Sequence, residues 1–412
     1  KIMKLCMIGT GYVGLVSGVC FSDLGNEVIC VDKDSEKIEK LKNGIIPIYE
    51  PGLNELVKKN FKAKRLSFTT NISDAIKKSN IIFICVGTPT KNKTNKVDLS
   101  QVYSVTRSIS KYIKSYKIIV TKSTVPVTTG DEIERIISKR VKKSLFDVIS
   151  NPEFLREGNA IYDFENPKRI IVGIRNNISK KIVNKIYNKY KKKSKIIFTD
   201  IKTAEFIKYF SNSFFSLLIS YSNEIANLCY KLGIDFIDVL NAFKLDSRFN
   251  SKNKIPEAIK YLVPGIGYGG SCFPKDIKTF IKFAKKNKFD LSILKKVDEI
   301  NSKQPKIISK IILSEFKRKK VGNCLFLGIT FKENTDDIRN STSIDLANFI
   351  AKKKLNIFIY DPIFSKEKFL RNKSLFNKRI TYLKKINYNF KFDSLIINNN
   401  SKEFKKIVKF YN

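Results

Sequence analysis

The stretch IMKLCMIGTGYVG, residues 2–14, runs from an apolar segment directly into a glycine-rich turn. The apolar part predicts a buried strand, and the segment after the turn predicts a helix that ends near Leu24. A second apolar segment at residues 27–32 predicts another strand, ending at Asp32, which completes a βαβ unit. The three glycines have the G-x-G-x-x-G spacing that allows a tight turn and close approach of a pyrophosphate to the helix N-terminus. We therefore expect a dinucleotide to bind at this turn.

Asp32 indicates which dinucleotide that is. It lies near the offset of about 20 residues at which such sites carry an acidic residue. A carboxylate there would accept hydrogen bonds from the adenosine ribose and repel a 2′-phosphate, which favours NAD over NADP. Lys37 is close enough in sequence to weaken that exclusion. A glycine turn with a purely structural role is the alternative interpretation.

Apolar segments alternate with helical ones through the rest of the N-terminal half. They predict further strands of a parallel sheet at residues 81–86, 117–121 and 146–150, and more strands at residues 170–174 and 195–198.

The pattern changes at Thr203, because the stretch from there to Leu232 contains neither proline nor glycine. Its apolar residues have helical spacing, and it is too long for an ordinary crossover helix. We interpret it as one long helix and expect it to form the core of a dimer. A second strand–helix–strand pattern runs from Val321 to Asn398. The predicted fold class is therefore α/β, with two Rossmann-like parallel-sheet domains joined by a long central helix.

The chain of 412 residues is strongly basic, with a formal net charge of +41. The lysines are spread along the whole sequence rather than gathered into a basic arm, which argues against nucleic acid as a partner. No apolar run is long enough to span a membrane, and the first strand leaves no place for a signal peptide. Without histidine or a C-x-x-C pair, no metal site is predicted. We expect a cytoplasmic protein without a membrane partner.

Cys272 differs from the other six cysteines of the chain. Those lie in apolar strand-like or helix-like runs, whereas Cys272 lies in the polar segment GYGGSCFPKD, residues 267–276. A cysteine at a glycine turn close to a helix start can be a stabilised thiolate, although an unreactive loop thiol is equally consistent with the spacing. Combined with a nicotinamide site, such a thiol suggests covalent oxidation of an aldehyde through a thioester. The chain has no histidine to assist it.

Polar residues follow several predicted strands, where ligands bind in open parallel sheets. Thr88 lies in the segment VGTPT, Thr124 in KSTVPV, and Glu153 in NPEFLREG. Lys208 and Asn212 have i, i+4 spacing on the long helix and so share one face. Each has an ordinary interpretation as well: a capped loop, a solvated acid or a surface lysine.

In combination, these segments resemble the UDP-glucose/GDP-mannose dehydrogenase family. The resemblance covers nearly the whole chain and rests on nine motifs in order: GTGYVG, YEPGL at 49–53, VGTPT, KSTVPV, NPEFLREG, the Lys208–Asn212 pair, DSRF at 246–249, GYGGSCFPKD, and FKENTDDIR at 331–339. It implies an NAD-binding domain at residues 1–200, a central helical dimerisation domain at 201–300, and a UDP-sugar-binding α/β domain at 301–412. It also implies a homodimer.

The resemblance implies four-electron oxidation of UDP-glucose to UDP-glucuronate by two NAD molecules. Cys272 resembles the family's nucleophile, Lys208 the residue that stabilises developing oxyanions, and Asn212 one that orients substrate. Asp276 resembles the residue that assists deprotonation through water, and Glu153 the one that assists thioester hydrolysis. Thr124 resembles a residue that positions water or cofactor. Positions that match NAD contacts are Gly9, Gly11, Tyr12, Val13, Gly14, Asp32, Lys37, Thr88, Thr124, Glu157, Lys275 and Arg339. Those that match substrate contacts are Glu153, Phe154, Leu155, Arg156, Glu157, Lys208, Asn212, Arg248, Tyr261, Leu262, Val263, Pro264, Gly265, Gly269 and Lys332.

The sequence departs from the family pattern in two places. Thr128 stands where the family usually has glycine, which we expect to have little consequence. Many members also continue into an Asp-x-Arg-Asn segment whose arginine holds substrate, and the sequence to Asn412 does not include it.

Three alternatives remain at this stage. The first keeps the mechanism and changes the substrate to GDP-mannose, UDP-N-acetylmannosamine or UDP-N-acetylglucosamine. The second is a two-electron hydroxyacid or 6-phosphogluconate-type dehydrogenase, which needs no cysteine and lacks a second α/β domain. The third is an inactive NAD-binding relative. The presence of a matching residue at every catalytic position argues against this alternative.

Overall fold

The computed structural model describes residues 2–90, 97–190, 194–248 and 256–411. The chain divides into two compact units, Lys1–Phe210 and Ser211–Asn412. The strands of the first unit are β1 (Lys4–Ile8), β2 (Glu27–Val31), β3 (Leu66–Thr69), β4 (Ile81–Ile84), β5 (Lys117–Thr121), β6 (Phe146–Ser150), β7 (Arg169–Gly173) and β8 (Lys195–Thr199). Its helices are α1 (Tyr12–Asp23), α2 (Ser35–Lys42), α3 (Leu53–Lys62), α4 (Ile72–Lys78), α5 (Ser100–Tyr112), α6 (Thr129–Ser138), α7 (Ala160–Glu165) and α8 (Asn177–Ile186), with short 3₁₀ helices at Lys143–Leu145 and Asn188–Tyr190.

One sheet organises the first unit, with the strand order β3-β2-β1-β4-β5-β6-β7-β8. The strands from β3 to β6 are all parallel, so their carboxyl ends lie along one edge. The pair β7–β8 runs in the opposite direction, because β7 meets β6 in antiparallel register at Ser150 and Gly173. The order reverses between β1 and β4, and the crevice at such a reversal is where ligands bind in open α/β sheets.

Both faces of this sheet are buried, as the continuous apolar runs predict. Along β1, Leu5 and Met7 pack into one core cluster, whereas Cys6 and Ile8 pack into the cluster on the other face. Helices α1 and α3 contact each other, and α4 and α5 form a second contacting pair. The sheet is therefore a rigid layer between helices, and its carboxyl edge holds the polar segments in fixed positions.

Helix α9 (Ile201–Leu232) confirms the predicted long helix and begins two residues earlier than expected. It carries the chain from the first unit into the second. With 32 residues it has the length to cross a bilayer, but neither it nor any other helix in the described ranges is apolar enough to do so.

The second unit contains α10 (Phe236–Lys244), α11 (Phe273–Lys286), α12 (Ser292–Lys319), α13 (Thr342–Ala351), α14 (Lys366–Arg371) and α15 (Lys402–Tyr411), with 3₁₀ helices at Glu257–Leu262 and Lys373–Leu375. Its strands are β9 (Asn323–Leu327), β10 (Asn356–Tyr360), β11 (Ile380–Tyr382) and β12 (Ser394–Ile397). They form a parallel sheet in the order β11-β10-β9-β12. As in the first sheet, the strand order reverses beside the strand that comes first in the chain, here β9. The predicted α/β class and the second Rossmann-like sheet are confirmed.

Thr128 precedes α6 with φ +79 and ψ 0, in the left-handed region of backbone space. A β-branched residue is strained there and glycine is not, so this departure from the family pattern has a cost that the sequence did not indicate.

We expect Thr128→Gly to raise the free energy of unfolding by about 1 kcal/mol in urea denaturation, because relief of strain exceeds the added chain entropy. The Thr128 amide, which donates to Glu205 Oε2 at 2.8 Å, remains in the variant. Thr129→Gly, one residue further along and inside the helix, is the control and should be destabilising. A loss of stability in Thr128→Gly comparable to that control would contradict the strain argument.

Candidate active site

The glycine turn of the first unit joins β1 to α1. Gly9 has φ +102, and a Cβ atom built on it would lie 2.9 Å from the Cys85 carbonyl group. Gly11 is the N-cap of α1, and a Cβ atom there would meet nothing within 4 Å. Tyr12 and Val13 begin the helix and Gly14 follows. The space beside Gly11 at this helix N-terminus is therefore open, which fits a pyrophosphate.

Asp32 follows β2 at the same edge of the sheet. Its Oδ2 accepts from the Thr10 amide at 2.9 Å, from Thr10 Oγ1 at 2.7 Å and from Lys37 Nζ at 3.1 Å. Burial raises its pKa, but these donors more than offset that effect and hold the pKa below its usual value. The carboxylate is thus ionised and beside the turn, as recognition of an adenosine ribose requires.

Thr88 and Thr124 lie on the loops that follow β4 and β5. Thr88 Oγ1 donates to the Thr124 carbonyl at 2.9 Å, so the two loops are joined directly. Ser123 Oγ adds a second link by donating to the Val86 carbonyl at 2.7 Å. The structure brings these two predicted residues together at the carboxyl edge of the sheet.

Glu153 and Lys208 form a buried ion pair within the first unit. Lys208 Nζ donates to Glu153 Oε1 at 3.1 Å, and both residues are about 5% exposed or less. The Leu155 amide donates to the other carboxylate oxygen at 2.6 Å. Phe154 lies under the ammonium group, with its ring centroid 5.1 Å from Nζ. Burying two charges carries a large desolvation cost even when they are paired, so this pair is a candidate for a functional role.

Lys122, at the end of β5, is a buried residue that the sequence analysis did not single out. Its Nζ donates to Asn151 Oδ1 at 3.1 Å, an oxygen that also accepts from the Tyr187 hydroxyl at 2.6 Å. Burial lowers the Lys122 pKa to about 8, against the opposing effect of nearby Glu153. This group fixes Asn151, two residues before Glu153. In a lysine-rich sequence, the one signal that could have separated Lys122 from surface lysines is its place in the KSTVPV segment.

Cys272 belongs to the second unit, as the N-cap residue of α11. It is half-buried, whereas the other six cysteines are buried and free. Ser271 Oγ lies 3.5 Å from its Sγ atom. The amides of a helix N-terminus favour a negative charge, so this position suits a thiolate.

Asn212 and Asp276 form a buried pair in the same unit. Asn212 Nδ2 donates to Asp276 Oδ2 at 2.6 Å, and Asp276 is 1% exposed. Lys275 Nζ contacts the other carboxylate oxygen. Because Asp276 lies one turn after Cys272 on α11, the pair is one helical turn from the thiol. Lys208 precedes Asn212 by one turn of α9.

The glycine segment before Cys272 packs tightly against the segment 331–340. A Cβ atom on Gly269 would lie 2.2 Å from the Asn340 carbonyl oxygen. The Gly270 amide donates to the Arg339 carbonyl at 2.9 Å, and Asn340 Nδ2 donates to the Gly270 carbonyl at 3.0 Å. Two motifs about 70 residues apart thus form one structural element.

The other predicted contact residues lie on surfaces or in loops. Arg156 and Arg339 are engaged with neighbouring carboxylates, Asp163 and Asp337 respectively. Arg248 bonds to Asp246 and keeps 81% of its side chain exposed. Glu157 is half-buried, and Lys332 Nζ lies 5.6 Å from the Phe331 ring centroid.

The 261–265 segment is held firmly within the second unit. Tyr261 stacks on Phe215 with ring centroids 4.4 Å apart. The Leu262 carbonyl accepts from Ser222, and the Gly265 amide donates to Asn223 Oδ1 at 2.7 Å. Val263 and Pro264 connect these anchored ends, so the segment has a defined path.

Three successive family models match the chain, and together they cover most of it. They are described as the NAD binding domain, the central domain and the UDP binding domain of the UDP-glucose/GDP-mannose dehydrogenase family, and match residues 3–191, 202–303 and 325–411. The chain belongs to the UDP-glucose/GDP-mannose dehydrogenase family. It is an NAD-dependent oxidoreductase with a UDP-binding domain.

Several members of this dehydrogenase family are similar over most of the chain. UDP-glucose 6-dehydrogenase TuaD of Bacillus subtilis is 42% identical over 361 residues, which are 87% of this chain and 76% of that protein. UDP-glucose 6-dehydrogenase of Rhizobium meliloti is 41% identical over 367 residues, 87% of this chain and 82% of that protein. A solved UDP-glucose dehydrogenase from Pyrobaculum islandicum is 30% identical with a TM-score of 0.88, covering 98% of this chain and 91% of that one.

Proposed function

We propose that this dehydrogenase oxidises the C6 hydroxymethyl group of UDP-glucose to the carboxylate of UDP-glucuronate. Relatives about 40% identical over most of the chain carry that activity in their names, which favours UDP-glucose over GDP-mannose or a UDP-N-acetylhexosamine. The observation that carries the proposal is Cys272 at the N-terminus of α11, one turn from the Asn212–Asp276 pair. A two-electron alcohol oxidation has no use for such a thiol, whereas oxidation to an acid can proceed through a thioester on it.

The first oxidation converts the C6 alcohol to an aldehyde. NAD, bound at the glycine turn beside Asp32, supplies the hydride acceptor for each of the two oxidations. Asp276 takes the hydroxyl proton through a water molecule, and Lys208 stabilises the negative charge that develops on the C6 oxygen. Asn212 holds the sugar in position through its amide group.

The second oxidation runs through a covalent bond to the chain. The Cys272 thiolate adds to the aldehyde carbon and gives a thiohemiacetal, whose oxyanion Lys208 stabilises. Loss of the C6 hydride converts it to a thioester. Glu153 activates a water molecule, held by Thr124, which attacks the thioester carbon and releases the acid and the free thiol. Over the whole reaction one alcohol, two NAD⁺ and one water become one carboxylate, two NADH and three protons.

The remaining residues would bind the two ligands. We propose that Thr88, Glu157, Lys275 and Arg339 contact NAD and that Arg248, Lys332 and the 261–265 segment contact the UDP-sugar. The domain boundaries 1–200, 201–300 and 301–412 remain a prediction.

We also propose that the protein is a homodimer formed through α9. Along the part of this helix in the second unit, Phe214, Tyr221 and Leu228 are each more than 40% exposed. Large apolar side chains exposed together at this density are typical of protein interfaces. A cytoplasmic location is proposed because all seven cysteines are free, as in reducing compartments.

The proposed function predicts a stoichiometry. Purified protein, UDP-glucose and excess NAD should give two NADH for every UDP-glucuronate, because both oxidations occur before the product leaves. NADH is measured by absorbance and the acid by chromatography. GDP-mannose and UDP-N-acetylglucosamine, at the same concentration, serve as comparison substrates. One NADH per sugar consumed, with the aldehyde as product, would contradict the four-electron reaction.

A further inference from the structure

Glu50 lies in the YEPGL segment at residues 49–53, to which the proposed mechanism gives no role. Its side chain is buried, with 6% exposure. One carboxylate oxygen, Oε2, accepts from the Gly158 amide at 2.7 Å and from the Tyr12 hydroxyl. The other, Oε1, accepts from the Ala160 amide at 2.7 Å. The Gly158 amide also lies 3.0 Å from the Tyr12 hydroxyl oxygen. One buried carboxylate therefore joins three segments that are far apart in sequence.

Two of these segments are directly connected to residues of the proposed site. Tyr12 is the first residue of α1 and directly follows Gly11, in the turn that fits the pyrophosphate. Gly158 ends the segment NPEFLREG that contains Glu153, and Ala160 begins α7 two residues later. Because the Leu155 amide donates to Glu153 Oε2 at 2.6 Å, the path of that segment sets the direction of the Glu153 carboxylate. A displacement of Glu50 would move both the turn and this segment.

The contacts of Glu50 use both of its carboxylate oxygens as acceptors. Glu50 is surrounded by hydrogen-bond donors and each of its oxygens is used. Burial, and the hydrogen bond to Glu50, raise the pKa of the Tyr12 hydroxyl, so tyrosine remains a donor at working pH. A neutral amide in place of the carboxylate would present one acceptor and one donor, so its NH₂ group would face a backbone N–H donor that now bonds to a carboxylate oxygen.

We propose that Glu50 is a positioning residue for the reaction, which holds the cofactor turn and the Glu153 segment in one fixed arrangement. It touches neither reacting atom, and acts through Tyr12 on one side and through Gly158 and Ala160 on the other. The effect of Glu50 on Glu153 rests on the proposed function. Its effect on NAD binding does not depend on the sugar substrate.

The test compares Glu50→Gln and Tyr12→Phe with a matched control. Glu50→Gln should raise the KM for NAD about tenfold and slow acid release at saturating NAD about tenfold, because one unpaired buried donor disturbs both segments. Tyr12→Phe leaves Glu50 its two backbone donors, so the KM for NAD should rise about threefold with little change in acid release. The control is Tyr116→Phe, which removes a tyrosine–carboxylate hydrogen bond to Asp147 elsewhere in the same unit. It should leave both quantities unchanged.

A purely structural role for Glu50 gives a different result. It would reduce the amount of folded enzyme and hence kcat, while the KM for NAD stayed at the wild-type value. Calorimetric titration of NAD without sugar checks this directly and remains decisive if the wild type proves inactive on UDP-glucose. Wild-type NAD affinity in Glu50→Gln would overturn the proposal. Should that variant fail to fold, equal NAD affinities in Tyr12→Phe and Tyr116→Phe would overturn it as well.

Discussion

Replacing Cys272 by serine is expected to lower the steady-state formation of UDP-glucuronate by at least about a thousandfold. A serine hydroxyl at the N-terminus of α11 stays protonated at neutral pH, and a chain without histidine has no imidazole to activate it. An oxygen ester would also form and break more slowly than the thioester. The first oxidation does not require the thiol, so limited formation of NADH and aldehyde is compatible with this result. The measurement is the rate of acid formation by chromatography.

The matched control for this variant is Cys229→Ser. Cys229 is a buried cysteine of α9, and the same chemical change there should affect stability rather than the chemical step. Acid formation by Cys272→Ser at the wild-type rate would exclude a covalent mechanism, whatever the control shows.

Replacing Lys208 by methionine is expected to lower kcat by about a hundred- to a thousandfold, the usual loss when one oxyanion-stabilising group is removed. The variant should also lose about 3–5 kcal/mol of stability, because Glu153 would remain buried without the ammonium group that now lies 3.1 Å away. Methionine keeps most of the aliphatic stem, so packing against Phe154 is retained. The measurements are steady-state kinetics and urea denaturation.

A double variant separates these two effects. Lys208→Met with Glu153→Gln removes the unpaired buried charge and should recover most of the lost stability without recovering activity. Lys202→Met serves as the control, because Lys202 lies on the same helix with 59% of its side chain exposed and should tolerate the change. Wild-type kcat in Lys208→Met would contradict the role proposed for this lysine.

The parts of the fold predicted from sequence are those with strong local signals. The glycine turn, Asp32 and α9 follow from spacing and periodicity, and the central strands of the sheet are apolar on both faces. The edge strands β3 and β11 were missed, because they are three or four residues long and alternate between buried and exposed positions. Such short alternating runs are not distinguishable from loops without their neighbours.

The candidate site was less predictable, because much of it depends on contacts between distant segments. Lys208 is one lysine among 79 lysines and arginines, and only the resemblance to a family selected it. Its partner Glu153 is 55 residues away, and Glu50 reaches Gly158 across 108 residues. The backbone strain at Thr128 could not be predicted either, because the residue type does not determine the backbone φ angle. The candidate site residues could therefore be named from the sequence, whereas the residues that they contact are known only from the fold.

The covalent bond between the substrate and Cys272 is the central step of the proposed reaction. Acid quenching of the enzyme during turnover, followed by intact-protein mass spectrometry and peptide mapping, tests it most directly. We expect a fraction of the protein to carry a UDP-glucuronoyl group on the peptide that contains Cys272, and we expect no such group on Cys272→Ser. Full turnover to UDP-glucuronate by Cys272→Ser, with no adduct on either protein, would contradict this covalent step.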